Sequence, residues 1–239
     1  MSWERADIFR PATYAPLLRG ADYVVQSMGI LLEADYKGVL SGRESPVSGL
    51  RKAFSPAAAP SRNPLGPRPA GAGAAGAEPP RPPESPDQLT YELMNRDCAV
   101  LVAREAAREG VAAFLYVSAA AGAPVLPGRY ISTKREAEAL IASEFPDMRG
   151  VFLRPPFLYD SSRSITMGLA AVTGAAAAFN SLTGGVLNSF MGAAGAKPLK
   201  VDLVAEAAVE ALSDSSVKGP VEPAQMEELA TKAWRKGML

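Results

Sequence analysis

Histidine is absent from the 239 residues, and cysteine occurs once, at Cys98. Without histidine, Ser-His and Cys-His nucleophiles and most zinc or iron centres are excluded, so proton chemistry must run on tyrosine, lysine or carboxylates. A single cysteine forbids an intrachain disulfide and leaves no Cys-x-x-Cys pair for a metal, which suits a reducing compartment and a protein with no metal site. Net charge is missing as well, since 25 Lys and Arg balance 25 Asp and Glu. Such a chain has no long-range field with which to hold nucleic acid or an anionic membrane as its main activity. The opening "MSWERADIFRP" has neither an apolar signal core nor an Arg/Ser-rich, acid-poor amphipathic stretch. It reads either as untargeted or as lying downstream of the true start.

What is present is enough to fold. At 48% hydrophobic and 21% charged, the chain can bury one good core, and one main domain is expected. Residues 55–87, "SPAAAPSRNPLGPRPAGAGAAGAEPPRPPESPD", hold almost no large apolar side chain. Burial cannot offset the entropy of ordering them, so they read as a disordered insertion, with a Pro-rich docking motif as the alternative. Before the insertion, Tyr23 to Val25 read as a buried strand that ends in a turn at Ser27, Met28 and Gly29. After it, Ser85–Gln88 form a capping-box pattern before a helix that runs to Gly110, and "AAFLYVS" is a second buried strand. Residues 131–145 predict a helix stopped by Pro146, and "GVFLRPPF" a third strand broken by two prolines. Asp202 is placed to cap a helix over 203–212, and Pro223 to open a last helix closed by Gly237. Strand and helix alternate, as in a parallel α/β sheet.

Residues 165–200 are almost free of charge and crowded with Ala and Gly. They can be read as a membrane span, a buried helical pair lining a pocket, or a surface that docks on a membrane or partner. Gly174, Asn180, Gly184, Gly185 and Asn188 interrupt the run and weigh against a span.

The chemistry concentrates in "VSAAAGAPVLPGRYISTKREAEAL", residues 117–140. A phenol is a poor acid or base at neutral pH unless its phenolate is stabilised. Tyr130 and Lys134 stand at i and i+4 of a helix, on one face, where the ammonium can do this. Ser118 leaves the end of a strand in the region where open parallel sheets bind ligands, and could hydrogen-bond the same substrate oxygen. A surface Tyr-Lys pair on an amphipathic helix is the plain structural alternative.

With these residues the chain resembles the extended and atypical short-chain dehydrogenase/reductases. The resemblance implies a Rossmann-like doubly wound parallel sheet with a small C-terminal helical part. It also implies Ser118, Tyr130 and Lys134 as catalytic residues and NAD or NADP as cofactor. Asp7 and Ile8 match the acidic turn beside the adenine, Ser27, Met28 and Gly29 the glycine turn near the cofactor, and Pro155 and Pro156 the proline turn by the nicotinamide. Tyr130 and Lys134 are implied in cofactor binding too. The ordinary readings are a helix cap for Asp7, a tight turn for Gly29 and a strand terminator for the prolines. More narrowly, "DIFRPATYAPLL", "YELMNRD", "RYISTKREAE" and "FNSLTGG" resemble fungal mitochondrial accessory proteins of ubiquinone (coenzyme Q) biosynthesis, relatives of the NAD(P)H-binding accessory subunit of respiratory complex I. That implies a place in mitochondria, on the matrix side of the inner membrane, with subunits of a ubiquinone-biosynthesis complex as partners.

One departure is large. The family opens with a strand and a Gly-rich turn whose amides hold the pyrophosphate, and no such motif is readable upstream of Asp7. "GAGAAGA" at 71–77 does not replace it, because no strand precedes it and no amphipathic helix follows. The expectation is therefore an N-terminally truncated dinucleotide-binding fold over 1–54, the insertion over 55–87, the rest of that fold with the Ser-Tyr-Lys site over 88–164, and the Ala/Gly-rich stretch with C-terminal helices over 165–239. Two functions remain open: an accessory or regulatory protein without turnover, and an active oxidoreductase using Tyr130, Lys134 and Ser118 on a lipophilic carbonyl or alcohol.

Overall fold

The computed structural model describes residues 1–30, 90–120, 128–160 and 197–238. Nearly all of the insertion's flanks and of the 165–200 stretch, and the insertion itself, lie outside these residues. The chain divides into two compact units, Met1–Ala112 with Ser132–Met148, and Ala113–Ile131 with Arg149–Leu239.

In the first unit, Asp7 starts a tight turn before two short 3-10 segments, Pro11–Thr13 and Ala15–Leu18. Strand β1, Tyr23–Gln26, follows. Its residues alternate, with Val24 and Gln26 buried and Tyr23 and Val25 about half exposed. The sequence reading of a wholly buried strand is thus corrected: side chains of a strand project to opposite faces, and only one face is covered among the described residues. Thr90 then starts the helical part, its Oγ1 accepting the Leu93 N–H at 3.2 Å. The first stretch, Glu92–Asp97, is π-helical, with the Cys98 N–H bonding the Leu93 carbonyl five residues back. It continues as helix α1, Cys98–Arg108.

The end of α1 shows how local chemistry stops a helix. The Val111 N–H bonds the Ala106 carbonyl at 3.0 Å and the Gly110 N–H bonds the Ala107 carbonyl at 3.2 Å. This 6→1 and 5→2 pair is a Schellman motif, and its left-handed position falls on Gly110, at φ 74°. Phe9, Leu93, Cys98 and Leu101 form a small apolar cluster, with Ile8 and Met94 packed against it.

Strand β2, Ala113–Val117, and strand β3, Arg149–Leu153, belong to the second unit and pair in parallel, Ala113 opposite Arg149 and Val117 opposite Leu153. Between them in the chain runs helix α2, Gly128–Glu144, three residues longer at its start than the sequence suggested. A two-stranded parallel ladder joins β4, Leu158–Tyr159, to β5, Leu199–Lys200. Helix α3, Val201–Ser213, strand β6, Gly219–Val221, and helix α4, Pro223–Gly237, complete the unit, and β6 pairs in parallel with β3. Pro223 takes the first helical position, where its missing N–H costs nothing. Asp202, read as a cap, lies inside the first turn of α3 instead; it favours the helix through the dipole, not by capping.

Leu115, Val151, Leu153, Val204, Ala207, Ala211, Val221, Met226 and Leu229 make the core of this unit. Each fully buried large aliphatic side chain contributes roughly 1.5–3 kcal/mol. The parallel strands, the helical crossovers and the strands' apolar runs make the fold Rossmann-like α/β, with a helical C-terminal part. Among the described residues no helix is long and apolar enough to cross a membrane.

Candidate functional site

The residues singled out by sequence fall in both units. Within the second, Ser118 is buried just past β2, and its backbone N–H bonds the Leu153 carbonyl at 2.7 Å. Two residues on, the Ala120 N–H bonds the Pro155 carbonyl at 2.9 Å. Ser118, Pro155 and Pro156 are thereby gathered at the carboxyl ends of β2 and β3, the edge at which parallel sheets bind ligands. Both prolines are buried. Tyr130 is half-buried in the first turn of α2; Lys134, one turn later on that helix and buried, is counted in the first unit.

Within the first unit, Ser27, Met28 and Gly29 follow β1 and are exposed. A Cβ placed on Gly29 would stand 2.7 Å from Asn95 Oδ1 and 3.6 Å from Lys134 Nζ. Only glycine lets the backbone come this close to Asn95 Oδ1, whereas 3.6 Å from Lys134 Nζ is ordinary contact. Lys134 is 6% exposed, and burial pushes its ammonium down to about 8, against the attraction of Glu138 and aided by the repulsion of Arg135. A lysine so placed exchanges protons nearer neutral pH than an exposed one.

Asn95 was not singled out by sequence reasoning. Its Oδ1 accepts the Ile30 N–H at 2.7 Å and its Nδ2 donates to the Ile30 carbonyl at 3.1 Å. The usable signal was an asparagine in mid-helix, in "YELMNRD", where its helix propensity is poor and its burial needs partners. The next residue, Arg96, donates to Asp97 Oδ1 at 2.8 Å and to Glu136 Oε2, on α2, at 2.7 Å.

Asp7 is occupied locally. Its Oδ1 accepts the Phe9 N–H at 3.0 Å, its Oδ2 lies 3.4 Å from Arg10 Nε, and its backbone is bracketed by the Thr13 hydroxyl. Ile8 packs on the apolar cluster. Gln26, on the buried face of β1 just before the glycine turn, has an Nε2 with no hydrogen-bond partner among the described residues. Cys98 is buried, its thiol pushed up to about 12 by burial first and by Asp97 and Asp7 next, which leaves it inert as a nucleophile. No group of three or more Cys, Asp or Glu side chains able to hold a metal occurs among the described residues.

No protein-family model matches the chain. It is 33% identical over 178 residues to MIOREX complex component 2 of Saccharomyces cerevisiae, an alignment covering 69% of this chain and 57% of the yeast protein. The chain thus spans little more than half the length of that curated relative. Solved structures similar to it include RMD of Pseudomonas aeruginosa complexed with NADPH, at 15% identity and a TM-score of 0.49, over 95% of this chain and 69% of that one. Another is the dTDP-glucose 4,6-dehydratase DesIV of Streptomyces venezuelae, a double mutant with NAD and DAU bound, at 11% identity and a TM-score of 0.44, over 98% and 62%. The chain is accordingly a Rossmann-like α/β protein and a relative of yeast MIOREX complex component 2.

Proposed function

We propose that this protein is an accessory component of a mitochondrial multi-protein complex, one that serves ubiquinone biosynthesis, and that it binds NAD or NADP beside Gly29 and Lys134. The observation that carries the reading is the identity with a protein that is itself named as a component of a complex. The ubiquinone assignment and the matrix-side location rest on the resemblance of "RYISTKREAE" and "FNSLTGG", and contact with the inner membrane through residues 165–200 belongs to the same proposal.

The nucleotide part is supported by a test of fit. Gly29 is exposed and its backbone lies close to the buried Lys134 ammonium, and Gln26 Nε2 is a buried donor with no partner among the described residues. Both suit a ligand rich in hydroxyl and carbonyl oxygens. A nicotinamide dinucleotide bound there supplies hydride exchange. With it bound, the Lys134 ammonium would donate hydrogen bonds to ligand oxygens.

A tagged copy purified from mitochondria is expected to bring subunits of the ubiquinone-making complex with it, and its deletion to lower ubiquinone. A protein that purifies alone from cells with normal ubiquinone overturns the reading.

The second reading, an oxidoreductase, is favoured by one observation: the lowered ammonium of Lys134 sits one helical turn from Tyr130. In that role the Tyr130 phenol moves the proton and Ser118 orients the substrate oxygen. Tyr130→Phe should then cut turnover by roughly a hundredfold while nucleotide affinity stays nearly intact. Turnover that survives Tyr130→Phe removes the enzyme reading and leaves the accessory one.

A further inference from the structure

Helix α4 has two unlike sides. Met226, Leu229 and Ala230 are buried in the core of their unit. On the other side Ala224, Glu228, Thr231 and Arg235 are exposed and line an open groove along the helix. Positions of this stripe recur every seven residues, with Ala224, Thr231 and Met238 on one line, Glu228 and Arg235 on the next, and Trp234 between them. A period of seven keeps side chains on one face, along which a second helix can lie. Trp234 is 58% exposed and Met238 68%, so more than half of two large apolar side chains stands in water.

The charges on α4 divide in the same way. Lys232 and Lys236 reach back to Asp214 and Glu210, each at 2.7 Å, and Glu227 meets Lys197 at 2.8 Å. Glu228 and Arg235, two turns apart on the stripe, enter no ion pair among the described residues. One carboxylate and one guanidinium so placed complement themselves. When the stripe is laid antiparallel on a second copy, Glu228 of each helix comes opposite Arg235 of the other, and the small Ala224 beside the long Met238. A parallel pairing would set like charges against each other. A lipid surface gains nothing from Glu228, whereas a second copy uses both charges. We propose that this face of α4 is an interface between two copies of the chain, with the helices antiparallel about a two-fold axis near Thr231. The chain's zero net charge leaves no general repulsion to keep copies apart. A helix of 15 residues is about 22 Å long. The contact therefore belongs to the small end of specific interfaces, and the dimer should dissociate in the micromolar range.

The experiment is a charge exchange across the axis, read by sedimentation equilibrium of the full chain from about 1 to 100 μM. The wild type is expected to pass from monomer to dimer over this range. Glu228→Arg sets two cations on each stripe and Arg235→Glu two carboxylates, so each variant alone should dimerise about tenfold more weakly or worse. An equal mixture of the two should associate again as a heterodimer, and the double variant Glu228→Arg with Arg235→Glu should pair with itself as the wild type does. This recovery also shows that the single variants are folded. Trp234→Ala should weaken the dimer without changing its response to the charge exchange. A wild type that stays monomeric at about 100 μM overturns the proposal. So does a dimer that survives both single variants, or a mixture and a double variant that both fail to recover. Vesicles of phosphatidylcholine and phosphatidylglycerol provide the last arm: a Trp234 emission that shifts on them in a monomeric Trp3→Phe chain gives this face to lipid and overturns the dimer.

Discussion

Replacing Arg149 by alanine should unlatch the carboxyl end of α3. The last carbonyls of a helix lack partners inside it and need donors from elsewhere. Here one guanidinium supplies two of them and ties down the segment that follows: Nη1 donates to the carbonyls of Ala211 in the helix and of Asp214 and Val217 beyond it, at 3.0, 3.3 and 2.8 Å, and Nη2 to that of Leu212 at 2.7 Å. The cation also sits at the negative end of the helix dipole, worth about 0.3–1 kcal/mol. Hydrogen bonds to a charged group contribute about 1.5–3 kcal/mol each, but the four share one donor group, and water can reach a half-buried helix end once the side chain is gone. A net loss of about 3 kcal/mol is therefore expected, well short of four separate bonds. For a chain of this size that lowers the melting temperature by about 6–12 °C. Arg149→Lys keeps the charge but not the planar fork, and should recover less than half. Thermal melts followed by circular dichroism test both. An Arg149→Ala protein that melts within about 2 °C of wild type would refute the argument, since it would mean that solvent serves those carbonyls as well as the guanidinium does.

Three further outcomes are expected. Gly110→Ala forces a Cβ onto a left-handed residue and should cost about 1–2 kcal/mol, read as a lower urea midpoint with unchanged slope. Lys134 is a base whose folded pKa, about 8, lies below its ordinary 10.5, so the folded protein binds fewer protons than the unfolded chain between these values. Stability should therefore rise with pH through that window, and Lys134→Met should raise the melting temperature at pH 7 by about 5 °C or more; a flat profile from pH 8 to 10 would contradict the burial of the charge. Glu210, buried against α4, is held below the carboxylate range by Lys236 and then Lys232, and Asp214 by Lys232 and then Ser216. Their contribution is present above the ordinary carboxylate pKa and lost as acid takes the pH below it, so Glu210→Gln should flatten the acid limb of a plot of melting temperature against pH.

The elements were legible because their causes are local. The apolar runs of "AAFLYV" and "GVFL", Gly110 after α1 and Pro223 before α4 act within a few residues of themselves, and each did what its neighbours dictated. So did the placement of Tyr130 and Lys134 on one helix, since their spacing equals about one turn. Even here, Asp202 was misplaced as a cap, because helix ends shift by a residue or two without changing the pattern that announces them.

The site's geometry was decided at longer range. Asn95 meets Ile30 across 65 residues, Arg149 meets the end of α3 across 62 to 68, and Lys134 approaches a glycine more than a hundred positions before it. No periodicity in the sequence records such pairs, because they depend on strand register, on which helix packs where, and on a π turn that moves a side chain around the axis. The alternation on β1 is of the same kind, since a strand's apolar residues do not say which of its faces will be covered. Sequence alone determined that Lys134 would lie one turn from Tyr130, whereas only tertiary packing decided that its ammonium would be buried, and burial is what lowers its affinity for a proton, since a charge loses more solvation than its neighbours return.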